Sequence, residues 1–290
     1  MPTWTSNGKY PGNPLSDEEK YQKLYHFTSF DTFVKIWLTK ELLFADVRGV
    51  NDLIEQTVQW NFYNPQKIPL MYAIEDGRYA YRQISLTMDY DSYLKGCMSS
   101  MMWGYYADKT NGVCIELDFN KLPLSKDCLH APISYMENVP TSIDVPSNLS
   151  TRNDVEKWLI ENQTRFFFTK QSTWQEENEY RIVSNCKRAL SIVNAITAVY
   201  VAKYDSDTCK FVLSLVNGEV PVLSLSFKDA SGVSIPRITD AAEKRKLIEN
   251  ARKSKSNALN PISDQAHDFY NSHKDDWDFP LILKEYFFEE

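Results

Sequence analysis

The chain has 290 residues, of which 43% are hydrophobic and 13% aromatic, which is enough to fill a sizeable core and excludes a disordered chain. No apolar run reaches the roughly 18 residues of a membrane span, and no basic stretch followed by an apolar one begins the chain, so we expect a cytoplasmic protein. The net charge of -7 disfavours bulk binding to nucleic acid.

Cysteine and histidine are scattered along the sequence. The five cysteines are odd in number and contain no C-x-x-C pair, and the four histidines show no H-x-x-x-H spacing. A disulfide framework and a structural zinc site are therefore not expected, and we predict no metal.

The clearest local signals lie near the start of the chain. Residues 1–19 are polar and rich in turn-forming residues, which predicts a flexible N-terminal arm. Lys23 to Thr28 alternates and is aromatic, as in a strand. Ser29 then has the character of a helix N-cap, and the apolar spacing from Phe30 to Thr39 fits one helical face.

Further elements follow in less regular order. Strands are predicted at residues 41–45, 83–87, 112–118, 133–135, 179–184, 195–201 and 220–227. Helices are predicted at residues 92–107, 155–170 and 210–216. Because strands and helices do not alternate, the pattern indicates an α+β fold in place of a doubly wound parallel sheet. We expect one α+β domain over residues 20–235 and a helical, aromatic C-terminal extension over 236–290 that packs on it.

Two aromatic segments contain candidate binding residues. His26 lies between two aromatic residues, so on a strand it faces the side opposite to theirs and could bind a hydroxyl or carry a proton if that side lines a cleft. Trp103 and Tyr106 are three apart and share a helical face. Core packing is the simpler explanation for Trp103, whereas the polar tip of Tyr106 suits a stacking platform for a flat ring.

A third cluster is acidic. On a strand, Glu177, Glu179 and Arg181 would face one way, either as a solvated surface or towards a cleft. Two carboxylates so placed can hold a ribose hydroxyl and orient a nucleophile, and Arg181 would keep both ionised.

These motifs resemble those of a widespread uncharacterised bacterial family, a domain of unknown function. The segments that carry the resemblance are Leu24 to Thr28, Asn51-Asp52 with Glu55, Ile84 to Thr87, Met102 to Asp108, Gly112 to Glu116 and Trp174 to Ile182. Leu53 departs from the proline that the family usually has after that aspartate. The resemblance spans residues 23–227 and supplies no activity.

The order of three motifs is also similar to that of ADP-ribosyltransferases: His26-x-Thr28, then Ser85 or Tyr106, then Glu177-x-Glu179. This resemblance implies mixed or split antiparallel sheets flanked by helices, and NAD as the cosubstrate.

Residue roles follow from the same resemblance. It implies that His26 holds the ribose, that Tyr106 stacks on nicotinamide, and that Glu179 binds the ribose 2′-hydroxyl and favours an oxocarbenium-like transition state. Glu177 would orient the acceptor. The further candidates for binding the cosubstrate are Thr28, Ser85, Trp103 and Arg181.

The leading hypothesis is thus an NAD-consuming transferase or glycohydrolase, a toxin or anti-phage defence effector with a nucleotide-like ligand and an unidentified macromolecular acceptor. One alternative is a metal-dependent hydrolase or nuclease with Asp52, Glu55, Glu177 and Glu179 around a divalent cation. Another is a non-enzymatic ligand-sensing module whose aromatic cleft docks a ligand. The oligomeric state stays open.

Overall fold

A computed structural model describes residues 14–49, 52, 59–60, 68–139, 142–143, 146, 149–204, 206–230 and 233–250. The chain divides into two units, residues 1–241 and 242–290. In the second unit, residues 242–250 are helical. Most of the predicted N-terminal arm, and the aromatic tail whose packing on the domain was predicted, lie outside the described residues.

The first unit contains seven described α-helices. They are α1 (Asp17–Lys20), α2 (Phe30–Thr39), α3 (Ile68–Tyr79), α4 (Ser100–Tyr106), α5 (Arg152–Glu161), α6 (Gln163–Phe167) and α7 (Asp207–Val216). None of these helices, nor the helical residues 241–250, is both long and apolar enough to cross a lipid bilayer.

The described strands are mostly short. They are β1 (Lys23–Thr28), β2 (Glu41–Leu43), β3 (Ala45–Asp46), β4 (Gln59–Trp60), β5 (Arg82–Met88), β6 (Val113–Asp118), β7 (Leu129–Pro132), β8 (Ser134–Met136), β9 (Ser142–Ile143), β10 (Thr169–Gln171), β11 (Glu179–Ser184), β12 (Ala189–Ser191), β13 (Ile196–Val201), β14 (Val222–Ala230) and β15 (Val233–Asp240).

The main sheet has nine strands. Eight follow the order β15-β14-β13-β6-β1-β5-β11-β7, and β3 pairs with β5 beside this path. Strands β13 and β14 run parallel, and the other neighbours run antiparallel. The predicted α+β class with a mixed sheet flanked by helices is confirmed. The predicted boundary at residue 235 falls inside β15, whose pairing with β14 continues to Asp240.

The elements with the strongest local signals have the predicted bounds. Strand β1, helix α2 and strand β11 each begin and end where the sequence pattern placed them. Ser29 is the N-cap of α2, and its side chain accepts a hydrogen bond from the backbone N–H of Thr32.

Two predicted helices are shorter than expected, because side chains near their ends bind the backbone. The Asp91 carboxylate accepts hydrogen bonds from the N–H groups of Tyr93 and Leu94, which form a turn where a helix over 92–107 was predicted. The Asn162 side chain donates to the Trp158 carbonyl at 2.8 Å and separates α5 from α6. The predicted helix over 155–170 is therefore wrong in its last residues, which form β10.

Apolar side chains cover both faces of the sheet. On one face, α2 and α7 pack on the centre of the sheet through residues that include Phe33, Val212 and Leu24. The opposite face is covered in two places: by α4 over β1 and β6, and by α3, α5 and α6 near β11. The candidate site lies on this second face.

Candidate functional site

The sheet opens between two of its central strands. β1 pairs with β6 along its whole length, but with β5 only at Leu24 and Tyr25. β5 instead continues beside β11, and Gln83 of β5 pairs with Ala45 of β3. The edge of β1 beyond Tyr25 is thus left unpaired on the side of β5, and this leaves room for a cavity inside the sheet.

A cavity of about 440 Å³ occupies this opening, and we refer to it as the β1–β5 cavity. Its walls come from β1, β2, β3, β5, α4, β10 and the start of β11. Five of the predicted site residues line it: His26, Ser85, Tyr106, Glu177 and Glu179. Residues as far apart in sequence as His26 and Glu179 therefore meet in one cavity.

Glu179 is the most tightly held of these residues. It is the first residue of β11, and its side chain is 4% exposed. The Arg181 guanidinium donates to both carboxylate oxygens, from Nε at 2.8 Å and from a terminal nitrogen at 3.0 Å. The backbone N–H of Glu179 donates to the Tyr135 hydroxyl at 2.9 Å. The carboxylate is thereby fixed in orientation, because a bidentate pair allows one planar arrangement.

These contacts determine the charge of Glu179. Burial by itself would raise the pKa of this carboxyl, but the charges of Arg181 and Lys170, with hydrogen bonds from Arg181 and Ser85, outweigh it and lower the pKa to about 2. Glu179 is consequently a carboxylate at neutral pH and has no proton to donate.

The Glu177 side chain lines the same cavity as Glu179, but its backbone lies in a turn and not in β11. It ends a 3-10 turn over Ser172–Glu177, and the following Asn178 is left-handed with φ of 45°. The Asn178 side chain donates to the carbonyls of Met88 and Asp89, which anchors the turn on the end of β5. The prediction that Glu177 and Glu179 share one strand face is therefore wrong for Glu177, although the turn brings both carboxylates together.

A lysine joins the two carboxylates. Lys170 Nζ lies 2.5 Å from Glu177 Oε2 and 3.1 Å from Glu179 Oε2, and its side chain is 8% exposed. The other oxygen of Glu177 accepts a hydrogen bond from the Tyr106 hydroxyl. A continuous chain of polar contacts thus runs from Tyr106 on α4 through Glu177 and Lys170 to Glu179.

Two buried polar atoms on the cavity-lining residues lack a hydrogen bond among the described residues: His26 Nδ1 and Thr87 Oγ1. Burial lowers the pKa of His26 to about 4, and contact with the backbone of Ser85 opposes this only in part. The imidazole is therefore neutral at physiological pH. Buried polar atoms without partners are uncommon in proteins.

Three predicted binding residues do not line the cavity. Thr28 and Trp103 are buried, and the indole N–H of Trp103 donates to the Cys97 carbonyl while its ring packs edge-on against Phe27. Arg181 is 2% exposed, and it also donates to the Phe167 carbonyl at 2.8 Å. Arg181 therefore supports Glu179 from behind the cavity wall.

Lys170 and Tyr135 were missed by the sequence analysis. Lys170 was assigned to the end of a helix, and Tyr135 was treated as part of a strand only. The single signal for Lys170 is a basic residue two positions after the apolar run of Phe166, Phe167 and Phe168. That signal indicates no partner, because the partners are brought in by the fold.

The position of Lys170 also bears on the metal alternative. Its ammonium group already bridges Glu177 and Glu179, where a divalent cation would have to lie. Asp52 is not among the residues that line the cavity, and Glu55 lies outside the described residues. Within the described part of the chain, no group of three histidine, cysteine or acidic side chains is arranged to hold a metal ion.

Comparisons with known proteins match this region in sequence. Residues 102–182 match the family model described as "Protein of unknown function (DUF2971)", a segment that includes Tyr106, Lys170, Glu177, Glu179 and Arg181. The predicted resemblance to an uncharacterised family is thus confirmed over that segment. No curated protein matches the chain.

Among solved structures, the chain is similar to "Thermus sp. 2.9 DarT in complex with ADP-ribosylated ssDNA". The sequence identity is 10%, the alignment covers 72% of this chain and 93% of that one, and the TM-score is 0.31. A TM-score this low does not establish a shared fold.

Proposed function

We propose that this protein consumes NAD, breaking the bond between nicotinamide and ribose and passing the ADP-ribose to water or to an acceptor. The observation that carries the proposal is the ionised, oriented carboxylate of Glu179 at the wall of the β1–β5 cavity.

The state of Glu179 fits this reaction better than ordinary glycoside hydrolysis. Hydrolysis of an O-glycoside needs a protonated carboxylic acid with a raised pKa to protonate the leaving oxygen. Nicotinamide, in contrast, leaves from a cationic ring as a neutral molecule and needs no acid. The transition state then requires only a negative charge beside the oxocarbenium-like sugar. A carboxylate with a pKa of about 2 carries that charge at any physiological pH.

The other lining residues support the remaining roles. The neutral His26 imidazole, whose buried Nδ1 lacks a partner among the described residues, is suited to bind a ribose hydroxyl. The Tyr106 ring lines the cavity and offers a flat surface for nicotinamide, and the Ser85 hydroxyl lies next to Glu179. Glu177 would orient the attacking nucleophile. Thr28 and Trp103 have no part in this proposal.

The test is release of nicotinamide from NAD by the wild-type protein and by Glu179→Gln, an isosteric change that removes the charge. We expect the variant to lose about 100-fold or more in rate, as when one preorganised stabilising group is removed from an active site. Glu219→Gln is the matched control, because it removes the same charge from a side chain that is 59% exposed. No release by the wild type, or equal rates for both variants, would refute the proposal.

A further inference from the structure

One buried lysine is shared by the two carboxylates of the site. Lys170 contacts one oxygen of Glu177 and one of Glu179, and each of these glutamate side chains is 4% exposed. The contact is not a surface ion pair, since solvent reaches little of any of the three groups.

The fold fixes Lys170 independently of the glutamates. It is the middle residue of β10, which pairs in parallel with β8 so that Lys170 lies beside Tyr135. Tyr135 in turn accepts a hydrogen bond from the backbone of Glu179. The Lys170 ammonium also lies 5.4 Å from the centre of the Trp174 ring. The pairing of β10 with β8 thus holds the ammonium group in position.

The charges in this cluster explain why a cation is needed there. Two carboxylates that share one buried site repel each other, and without compensation the pair takes up a proton. The ammonium of Lys170 lies 2.5 Å from one oxygen of Glu177 and 3.1 Å from one oxygen of Glu179, so it compensates both charges. Removing it would take away a positive charge that stabilises the carboxylate pair.

We propose that Lys170 is a positioning residue that keeps Glu179 ionised beside Glu177, and that it thereby sets the acidic limit of the enzyme's activity. The claim about activity rests on the proposed function. The claim about ionisation does not, and it can be tested on a protein that turns over no substrate.

Among the described residues, the charged or titratable groups on the cavity wall around the pair include His26, with a pKa of about 4, and Asp46, with a pKa of about 2. Arg181 approaches from β11, Tyr135 from β8 and Tyr106 from α4. Burial raises the pKa of Tyr135, and burial raises that of the nearby Tyr90 to about 12, so neither phenol ionises near neutral pH. A change of activity between about pH 5 and 8 that depends on Lys170 therefore reports proton uptake by the carboxylate pair.

The experiment compares pH profiles of nicotinamide release for wild type, Lys170→Met and Lys170→Arg. We expect Lys170→Met to shift the acidic limb of the profile upwards by about 1 to 3 pH units, because an opposite charge at this distance stabilises ionisation by that amount. Lys170→Arg keeps the charge and should hold the limb within about 0.5 units of wild type. A Lys170→Met profile that is lower at every pH without a shift would overturn the proposal, since that is the result of a purely structural role.

A second measurement keeps the inference testable if turnover is absent or Lys170→Met is poorly folded. Glutamate labelled with ¹³C at the side-chain carboxyl, assigned with Glu179→Gln, reports ionisation of Glu179 in the wild-type chain. We expect the Glu179 signal not to titrate between about pH 5 and 8. A titration of Glu179 in that range refutes the role of Lys170, whereas a flat signal without nicotinamide release refutes only the proposed function.

Discussion

The ion pair between Arg181 and Glu179 offers the sharpest test of how the site is held together. We consider Arg181→Met, which preserves much of the length and apolar surface of the side chain but removes its charge. The change deletes the two hydrogen bonds to Glu179, at 2.8 and 3.0 Å, and the bond to the Phe167 carbonyl at 2.8 Å.

The magnitude follows from the burial of both partners. Removing one member of a buried pair usually costs about 3 to 5 kcal/mol, since the other charge is left without compensation. Here Glu179 keeps its contacts with Lys170 and Ser85, so we expect a loss near the lower value, about 3 kcal/mol. Exposed pairs typically contribute less than about 1 kcal/mol. Lys210→Met is a matched control, because Lys210 forms an ion pair with Asp207 in which the side chains are 57% and 79% exposed.

The assay is urea unfolding followed by tryptophan fluorescence, with Glu179→Gln and the double variant completing a double-mutant cycle. We expect the double variant to lose at least about 2 kcal/mol less than the sum of the single losses, because the removed charges no longer leave each other unpaired. Additive losses, or a loss for Arg181→Met no larger than that for Lys210→Met, would show that the pair is not a stabilising unit.

Further predictions concern His26, Gly112 and Gly104. In the unfolded chain His26 binds a proton below about pH 6.5, whereas in the folded protein it does so only below about pH 4. The free energy of unfolding should therefore decrease as the pH drops through this window, by a total on the order of 3 kcal/mol. In urea titrations across this range, His26→Gln should lack this decrease, and equal pH dependence in both proteins would contradict the prediction. A β-carbon at Gly112 would lie 2.2 Å from the Thr28 carbonyl oxygen, so Gly112→Ala should cost about 3 kcal/mol. Gly104→Ala, with open space around it in α4, should instead stabilise by about 0.5 to 1 kcal/mol, and thermal unfolding of both variants checks the opposite signs.

Local chemistry explains which elements could be predicted from the sequence. β1, α2 and β11 have alternating or helical apolar patterns, and a serine N-cap marks the start of α2. Within each element these signals lie only a few residues apart. The α+β class follows from the irregular order of such elements. The helices predicted over 92–107 and 155–170 were too long because side chains of Asp91 and Asn162 bind backbone groups, a competition that apolar periodicity does not register.

For the candidate site, too, the sequence predicted some features and not others. Sequence motifs selected His26, Ser85, Tyr106, Glu177 and Glu179, and all five line the β1–β5 cavity. Their chemical roles stay predictions.

What the sequence by itself determined was the set of residue types and the strands that hold them. Only the tertiary structure decided that pairing between β1 and β5 stops after Tyr25, that Arg181 lies behind the wall, and that Lys170 bridges two glutamates. The physical reason is that strand pairing and buried charge compensation depend on partners far apart in the chain, and no local pattern specifies which partners meet.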